Sequence, residues 1–287
     1  MPRPGAPLPR PPALPLSYAR ALLPRRRRPS AVPDRVSGRP AARPEPDRLA
    51  RYRRLTAFPD PTVLPPCYPH LLAFPLTMAL LTARDFPCPP LGLVHTDNLV
   101  ELMRPLAVDE PLALRVRATS GGPRPGGTAF EVRAEARDAD GAVVWRSVSG
   151  YLYRQGGGPR ERRAPTVNPV AGGERWELPA ALGRRYGAVS GDRNPIHLHP
   201  LTARPFGFRR PIAHGMWTKA RALSALWPTL PAAFAVRVRF LAPVPLPSRP
   251  TFAATAEGPY RTFALAAEDG RVQLTGTVAP PPAADPD

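Results

Sequence analysis

Ala213-His214-Gly215-Met216 leads into the apolar stretch Trp217 to Leu226, and a short way on comes Ala235-Val236-Arg237-Val238-Arg239-Phe240. The first pattern suits a buried helix. The second alternates apolar and basic residues with a period of two, as a strand buried on one face does. Strands are also predicted at Thr251 to Ala256, Tyr260 to Ala267 and Val272 to Val278. Glu268-Asp269-Gly270 supplies a hairpin turn, because glycine after an acidic residue tolerates the positive backbone angles of tight connections. One helix followed by a run of antiparallel strands is an α+β unit, with the helix packed on one face of the sheet.

The same order occurs earlier in the chain. Pro69-His70-Leu71-Leu72 and Met78-Ala79-Leu80-Leu81 form an apolar helical stretch, followed by alternating strands at Leu112 to Arg117 and Phe130 to Glu135. A turn at Asp138-Ala139-Asp140-Gly141 then leads into Val143 to Tyr153. Two similar units in tandem predict a pseudo-dimer within one chain. The breaks set the expected domains. Residues 1–43 are rich in Pro and Arg and too poor in aliphatic residues to offset the entropy of ordering, so a flexible tail is expected. Residues 44–158 form the first module, 159–165 a linker of Gly, Pro and charge, 166–280 the second module and 281–287 a flexible end.

A formal charge of +18 on 287 residues raises the question of nucleic acid or an anionic membrane. Composition argues against both. The basic residues are arginines apart from Lys219, which together with 45 prolines and abundant alanine looks like coding bias. More than half of the net charge lies in the first sixty residues, where aromatic side chains for base stacking are scarce. The apolar run Leu71 to Leu81 is too short to span a bilayer and is interrupted by Pro75. Cys67 and Cys88 read as buried thiols rather than a disulfide. The expectation is a cytoplasmic bacterial protein with no nucleic-acid or membrane partner.

Chemistry concentrates in Gly191-Asp192-Arg193-Asn194-Pro195-Ile196-His197. Proline fixes its own backbone angle and biases the preceding residue away from the helix, so a turn can bring Asp192 and His197 to face one space. A carboxylate beside an imidazole suits addition of water to a polarised double bond: one group takes a proton from water and the other supplies one to carbon. Asn194 has a short amide suited to holding the turn. Gly215 at a helix start offers backbone N–H groups and the positive end of the helix dipole to an oxygen gaining negative charge. His197, His199 and His214 also raise a metal site, but nearby cysteines or acidic clusters that would complete it are missing from the sequence.

Gly191-Asp192-x-Asn194-Pro195-Ile196-His197, Ala203, Gly207-Phe208 and Ile212-Ala213-His214-Gly215-Met216 resemble the MaoC-like hydratases, which include (R)-specific enoyl-CoA hydratases and 3-hydroxyacyl dehydratases. The resemblance implies a hotdog fold, here a tandem or double hotdog. It implies reversible hydration of trans-2-enoyl thioesters to (R)-3-hydroxyacyl thioesters, carried by coenzyme A or acyl carrier protein, without metal or cofactor. Asp192 and His197 would be the catalytic dyad holding the attacking water; Asn194 and Gly215 would serve the substrate, Gly215 through its amide to the thioester oxygen. The first module has Leu64-Pro65-Pro66-Cys67-Tyr68-Pro69 where a dyad segment is expected before His70. One active site per chain follows, the first module forming the other wall of an acyl tunnel in a monomeric pseudo-dimer or a homodimer. The competing class is a catalytically silent hotdog that binds acyl thioesters or aids assembly; a hotdog thioesterase is a weaker third.

Overall fold

The computed structural model describes residues 13–21, 32–33, 35–91, 93–124, 127–154 and 173–282. The elements are α1 (Leu14–Ala21), β1 (Val36–Ala42), α2 (Pro46–Thr56), α3 (Tyr68–Leu81), β2 (Leu93–Leu102), β3 (Leu112–Arg124), β4 (Gly127–Arg137) and β5 (Val143–Arg154). After the linker region come β6 (Glu174–Arg175), α4 (Leu182–Ser190), the short α5 (Pro200–Ala203), α6 (Gly215–Leu226), β7 (Phe234–Phe240), β8 (Thr251–Glu257), β9 (Tyr260–Ala266) and β10 (Val272–Ala279).

Among the described residues ten strands join one antiparallel sheet in the order β1-β3-β4-β5-β2-β7-β10-β9-β8-β6. The order is a palindrome of roles about the β2–β7 pair: β2 answers β7, β5 answers β10, β4 answers β9, β3 answers β8 and β1 answers β6. Each half carries one buried helix, α3 in the first and α6 in the second. Their side chains join Trp145, Phe130, Phe234, Val236 and Leu274 in one continuous core. Fully burying a large apolar side chain is worth about 1.5–3 kcal/mol, and α3 buries residues all round its axis, which is why it runs through Pro75 despite the lost hydrogen bond. The fold is the α+β tandem expected from the repeat.

The seam between the halves carries a polar cluster. β2 and β7 pair from Asp97↔Arg239 to Leu102↔Phe234. Within this seam Asn98 is fully buried, and its amide donates to Ser147 Oγ (2.9 Å) and Ser149 Oγ (3.0 Å) on β5. Lys219, the only lysine in the chain, reaches from α6 to Asn98 Oδ1 (2.6 Å), Asn98 O (3.2 Å) and Val236 O (3.1 Å). Burial pushes its ammonium down to about 7. Three acceptors for three ammonium donors tie α6 to the two central strands.

Two expectations need correction. The flexible-tail reading of 1–43 fails for Leu14–Ala21 and for Val36–Ala42. β1 pairs with β3 from Val36↔Arg117 to Ala42↔Leu112, so the first half-sheet begins before residue 44. β1 is held by a backbone ladder, which leaves little trace in apolar composition. β2 is not among the strands read from the sequence; Asp97 and Asn98, poor strand formers, lie in the middle of it. The linker at 159–165 and the last residues, 283–287, lie outside the described residues.

Candidate active site

The loop bearing Asp192 and His197 is laid down by α4. That helix ends on Gly191, whose φ of 85° is left-handed and whose N–H closes the last turn on Gly187 O at 3.0 Å. Gly183 and Gly187 stand four apart and share a helix face. A Cβ at Gly187 would lie 2.8 Å from the Asp192 carbonyl oxygen, and one at Gly183 would collide with that of His197. The two glycines let Asp192 and His197 lie against the helix. Pro195–His197 is a single 3-10 turn capped by Asn194, whose side-chain oxygen faces the Ile196 N–H at 3.4 Å.

Asp192 sits half-buried with its two oxygens in different surroundings. Oδ1 accepts from the Asn194 N–H at 3.1 Å and lies 3.4 Å from the Tyr18 hydroxyl. Oδ2 lies 3.9 Å from His214 Nε2. Burial works against the charge, but His214, His197, the Asn194 amide and the Tyr18 hydroxyl outweigh it and hold the carboxyl below its ordinary range. His197 is buried, with Nδ1 2.8 Å from Ile212 O. A carbonyl can only accept, so Nδ1 carries the proton and the Nε2 lone pair is left available. Burial lowers the His197 pKa against the opposing pull of Asp192 and Ile212. The resting pair at neutral pH is therefore carboxylate and neutral imidazole.

His214 completes the cluster. Its Nε2–H donates to the Asp192 carbonyl at 2.9 Å, and its ring stacks on His197 with centroids 3.6 Å apart and planes at 24°. Burial pushes it down to about 3, so it too is neutral. A carboxylate oxygen of Asp192 and one ring nitrogen of each histidine lie within 4.8 Å of one another. That is compact enough for a metal to be considered. One nitrogen of each ring is already engaged by a carbonyl, Nδ1 of His197 by Ile212 O and Nε2 of His214 by Asp192 O, which leaves one nitrogen per ring. His199 stands apart, exposed, its Nδ1 accepting from the Leu201 N–H at 3.2 Å and capping α5.

Gly215 opens α6 directly after His214, with its N–H among the first of the helix, which lack intrahelical acceptors. A Cβ there would meet the Phe240 ring at 2.9–3.1 Å. Phe240 tilts on His95 (4.9 Å between centroids), which stacks on Tyr151 (4.7 Å, 15°). These rings run from β7 into the first half. Burial pushes His95 down to about 3 and His70 down to about 4.

The structure places Asp192, Asn194 and His197 in one loop and Gly215 next to His214 at the start of α6; Tyr18, Arg48 and Phe240, which pack around these residues, were not singled out in the sequence. Arg48 on α2 donates to Val189 O (2.6 Å) and Ser190 O (3.2 Å), capping α4 just before the loop. The glycine pair on α4 was a legible sign of close packing; Tyr18 and Arg48 had none. The counterpart of the dyad loop in the first half also needs correction. It is not Leu64–Pro69 but the segment after α2, where Ala57 takes the left-handed cap (φ 52°) and Asp60 accepts from the Thr62 N–H at 2.8 Å.

Solved structures define the architecture as a double hotdog. HtdX of Mycobacterium tuberculosis superposes over 86% of this chain and 100% of its own, with a TM-score of 0.76 and 31% identity. Another protein of that organism, described as having a double hotdog fold, matches 83% of this chain and 92% of its own at a TM-score of 0.51 and 12% identity. The MaoC like domain family matches residues 160–277. A relative described as 3-hydroxyacyl-thioester dehydratase X, from Mycobacterium tuberculosis, is 34% identical over 82% of this chain and 85% of its own length. The chain belongs to the MaoC-like dehydratase family. Among the described residues no helix is long and apolar enough to cross a membrane.

Proposed function

We propose that this hydro-lyase adds water reversibly to trans-2-enoyl thioesters at the Asp192–His197 pair, giving (R)-3-hydroxyacyl thioesters. The observation that carries the reading is the pairing of a half-open carboxylate with a buried imidazole whose Nδ1 proton is committed to Ile212 O. A single water making two hydrogen bonds of about 2.8 Å spans groups placed within 4.8 Å of each other.

In hydration, His197 Nε2 accepts a proton from the water while Asp192 orients it and stabilises the resulting imidazolium. The water oxygen bonds to C3, the C2–C3 π pair moves toward C2, and charge accumulates on the thioester oxygen. The Gly215 N–H, at the positive end of α6, donates to that oxygen. Neither dyad residue holds an acidic proton at rest, so the proton that reaches C2 is the one His197 took from water. Dehydration runs the same steps backward. Asn194 shapes the turn and holds Asp192 Oδ1 through its backbone N–H, rather than touching substrate.

The thioester class is supported by the 3-hydroxyacyl-thioester dehydratase relative and by a second, more partial one described as an enoyl-CoA hydratase, 27% identical over 47% of this chain. Purified protein mixed with crotonyl-CoA or a longer enoyl-CoA should bleach the conjugated-enoyl absorbance and yield the (R)-3-hydroxy product by chiral chromatography. Absence of turnover across acyl lengths, on both coenzyme A and carrier-protein thioesters, would leave a silent binding subunit as the better description.

A further inference from the structure

The two halves meet at the loop that carries the carboxylate, and the contact comes from a stretch whose composition reads as tail. Tyr18 on α1 places its hydroxyl among three consecutive residues of the loop. It accepts from the Arg193 N–H at 2.6 Å, lies 3.1 Å from Gly191 O and lies 3.4 Å from Asp192 Oδ1. Its single proton has two acceptors to choose from, the Gly191 carbonyl and the carboxylate. Leu14, one turn earlier on α1, occupies the space beside Gly191: a Cβ on that glycine would lie 2.6 Å from Leu14 Cδ1. Arg48 holds the preceding carbonyls of Val189 and Ser190.

We infer that Tyr18 is a positioning residue for the reaction, acting through Asp192: it fixes the loop backbone and engages Oδ1, so that Oδ2 faces the imidazoles and the attacking water. This rests on Asp192 being half of the catalytic pair. The terminal torsion of an aspartate is broad and nearly two-fold, so the backbone alone does not decide which oxygen points where. Donors grouped on one side do. The Asn194 N–H and the Tyr18 hydroxyl both address Oδ1, while among the described residues Oδ2 faces His214 Nε2 at 3.9 Å. Donation from the phenol also favours the ionised carboxylate.

The groups that bear on the charge of Asp192 come from several elements. His197 and His214 act from its own loop and the start of α6, and Tyr18 from α1. His70 on α3, His95 on β2, Tyr151 on β5 and Tyr186 on α4 also feel its field. Burial lowers the histidines and raises the tyrosines, so all of these are neutral near pH 7; Arg193 on the loop and Arg48 on α2 are the neighbouring cations, and the Tyr18 hydroxyl acts as a dipole on the carboxylate.

The test is Tyr18→Phe in the full chain, beside Asp192→Asn, with enoyl-CoA hydration followed across pH. Losing one hydrogen bond to a charged group should lower kcat about tenfold while KM stays within about twofold. The acid limb of the kcat profile contains two ionisations, of Asp192 and of His197; its Asp192 step should move to higher pH, because the carboxylate loses a donor that favours its charged form. The thermal midpoint should change little, since the ring and its packing remain. A Tyr18→Phe variant with unchanged kcat and an unmoved acid limb, alongside an inactive Asp192→Asn, overturns the role of Tyr18 alone. A lower kcat without the pH shift also overturns it, because that is what loosened packing would give. An active Asp192→Asn variant instead overturns the dyad on which the inference rests.

Discussion

The segments 57–63 and 191–197 occupy the same place in the two halves and share a skeleton. Each follows a helix that ends in the left-handed conformation, on Ala57 at φ 52° and on Gly191 at φ 85°. Each then makes an Asx-Pro turn, Asp60-Pro61 closed on the Thr62 N–H and Asn194-Pro195 on the Ile196 N–H. The residue after the cap differs: Phe58 in the first half, Asp192 in the second. Phe58 is buried and packs on Trp227 with ring centroids 4.8 Å apart. At the sixth position from the cap, Val63 already bridges to Ala107, as Ile212 bridges to Pro245, so the first half omits the excursion from Leu198 to Pro211 that leaves room for His197. The scaffold of the turn is therefore independent of its chemistry. One half turns a carboxylate toward the site, and the other turns the same backbone position into core.

This comparison can be broken in graded steps. Removing the imidazole should have the largest effect: His197→Ala should lower kcat about a thousandfold, since a positioned general base contributes roughly 10²–10⁴, with an unchanged circular-dichroism spectrum. The matched change after the other cap should act on stability instead. Phe58→Ala should cost about 3–4 kcal/mol in chemical denaturation and leave kcat within about twofold. Lys219→Met at the seam strands buried carbonyls and should cost about 2–3 kcal/mol, measured the same way. The pH dependence sharpens the role of His197. Under the proposed mechanism catalysis requires ionised Asp192 and neutral His197, and both pKa values are lowered, so kcat/KM should be flat through neutrality and fall on the acid side with a midpoint below the ordinary histidine value of 6.5. Asn194→Ala, which removes only the cap of a one-turn helix, should cost about 1 kcal/mol in stability by thermal unfolding.

The turn that brings Asp192 and His197 together was legible because it is local: Asp192, Asn194, Pro195 and His197 lie close along the chain, and proline constrains the backbone between them. Gly215 was legible for the same reason, as the first residue of a helix. The repeat was visible where strands alternate cleanly, as in β3 and β7. It was invisible in β2, where Asp97 and Asn98 mask the strand and the compensating groups, Ser147, Ser149 and Lys219, lie far along the chain. A lone lysine in an arginine-rich sequence was the available hint of a burial site with particular needs. Tyr18 was beyond reach, since it meets Asp192 across 174 positions from a segment of tail-like composition. The dyad counterpart was sought next to His70, whereas the helix cap at Ala57 marks it; backbone conformation located what residue type did not.

A single competent site in a two-fold scaffold is most directly tested by counting what binds. The Asp192→Asn variant, which should hold enoyl-CoA without converting it, can be titrated calorimetrically with crotonyl-CoA or a longer homologue. One equivalent per chain, together with loss of turnover, is the predicted result. Two equivalents per chain, or retained hydration, would contradict it by giving the first half a site of its own.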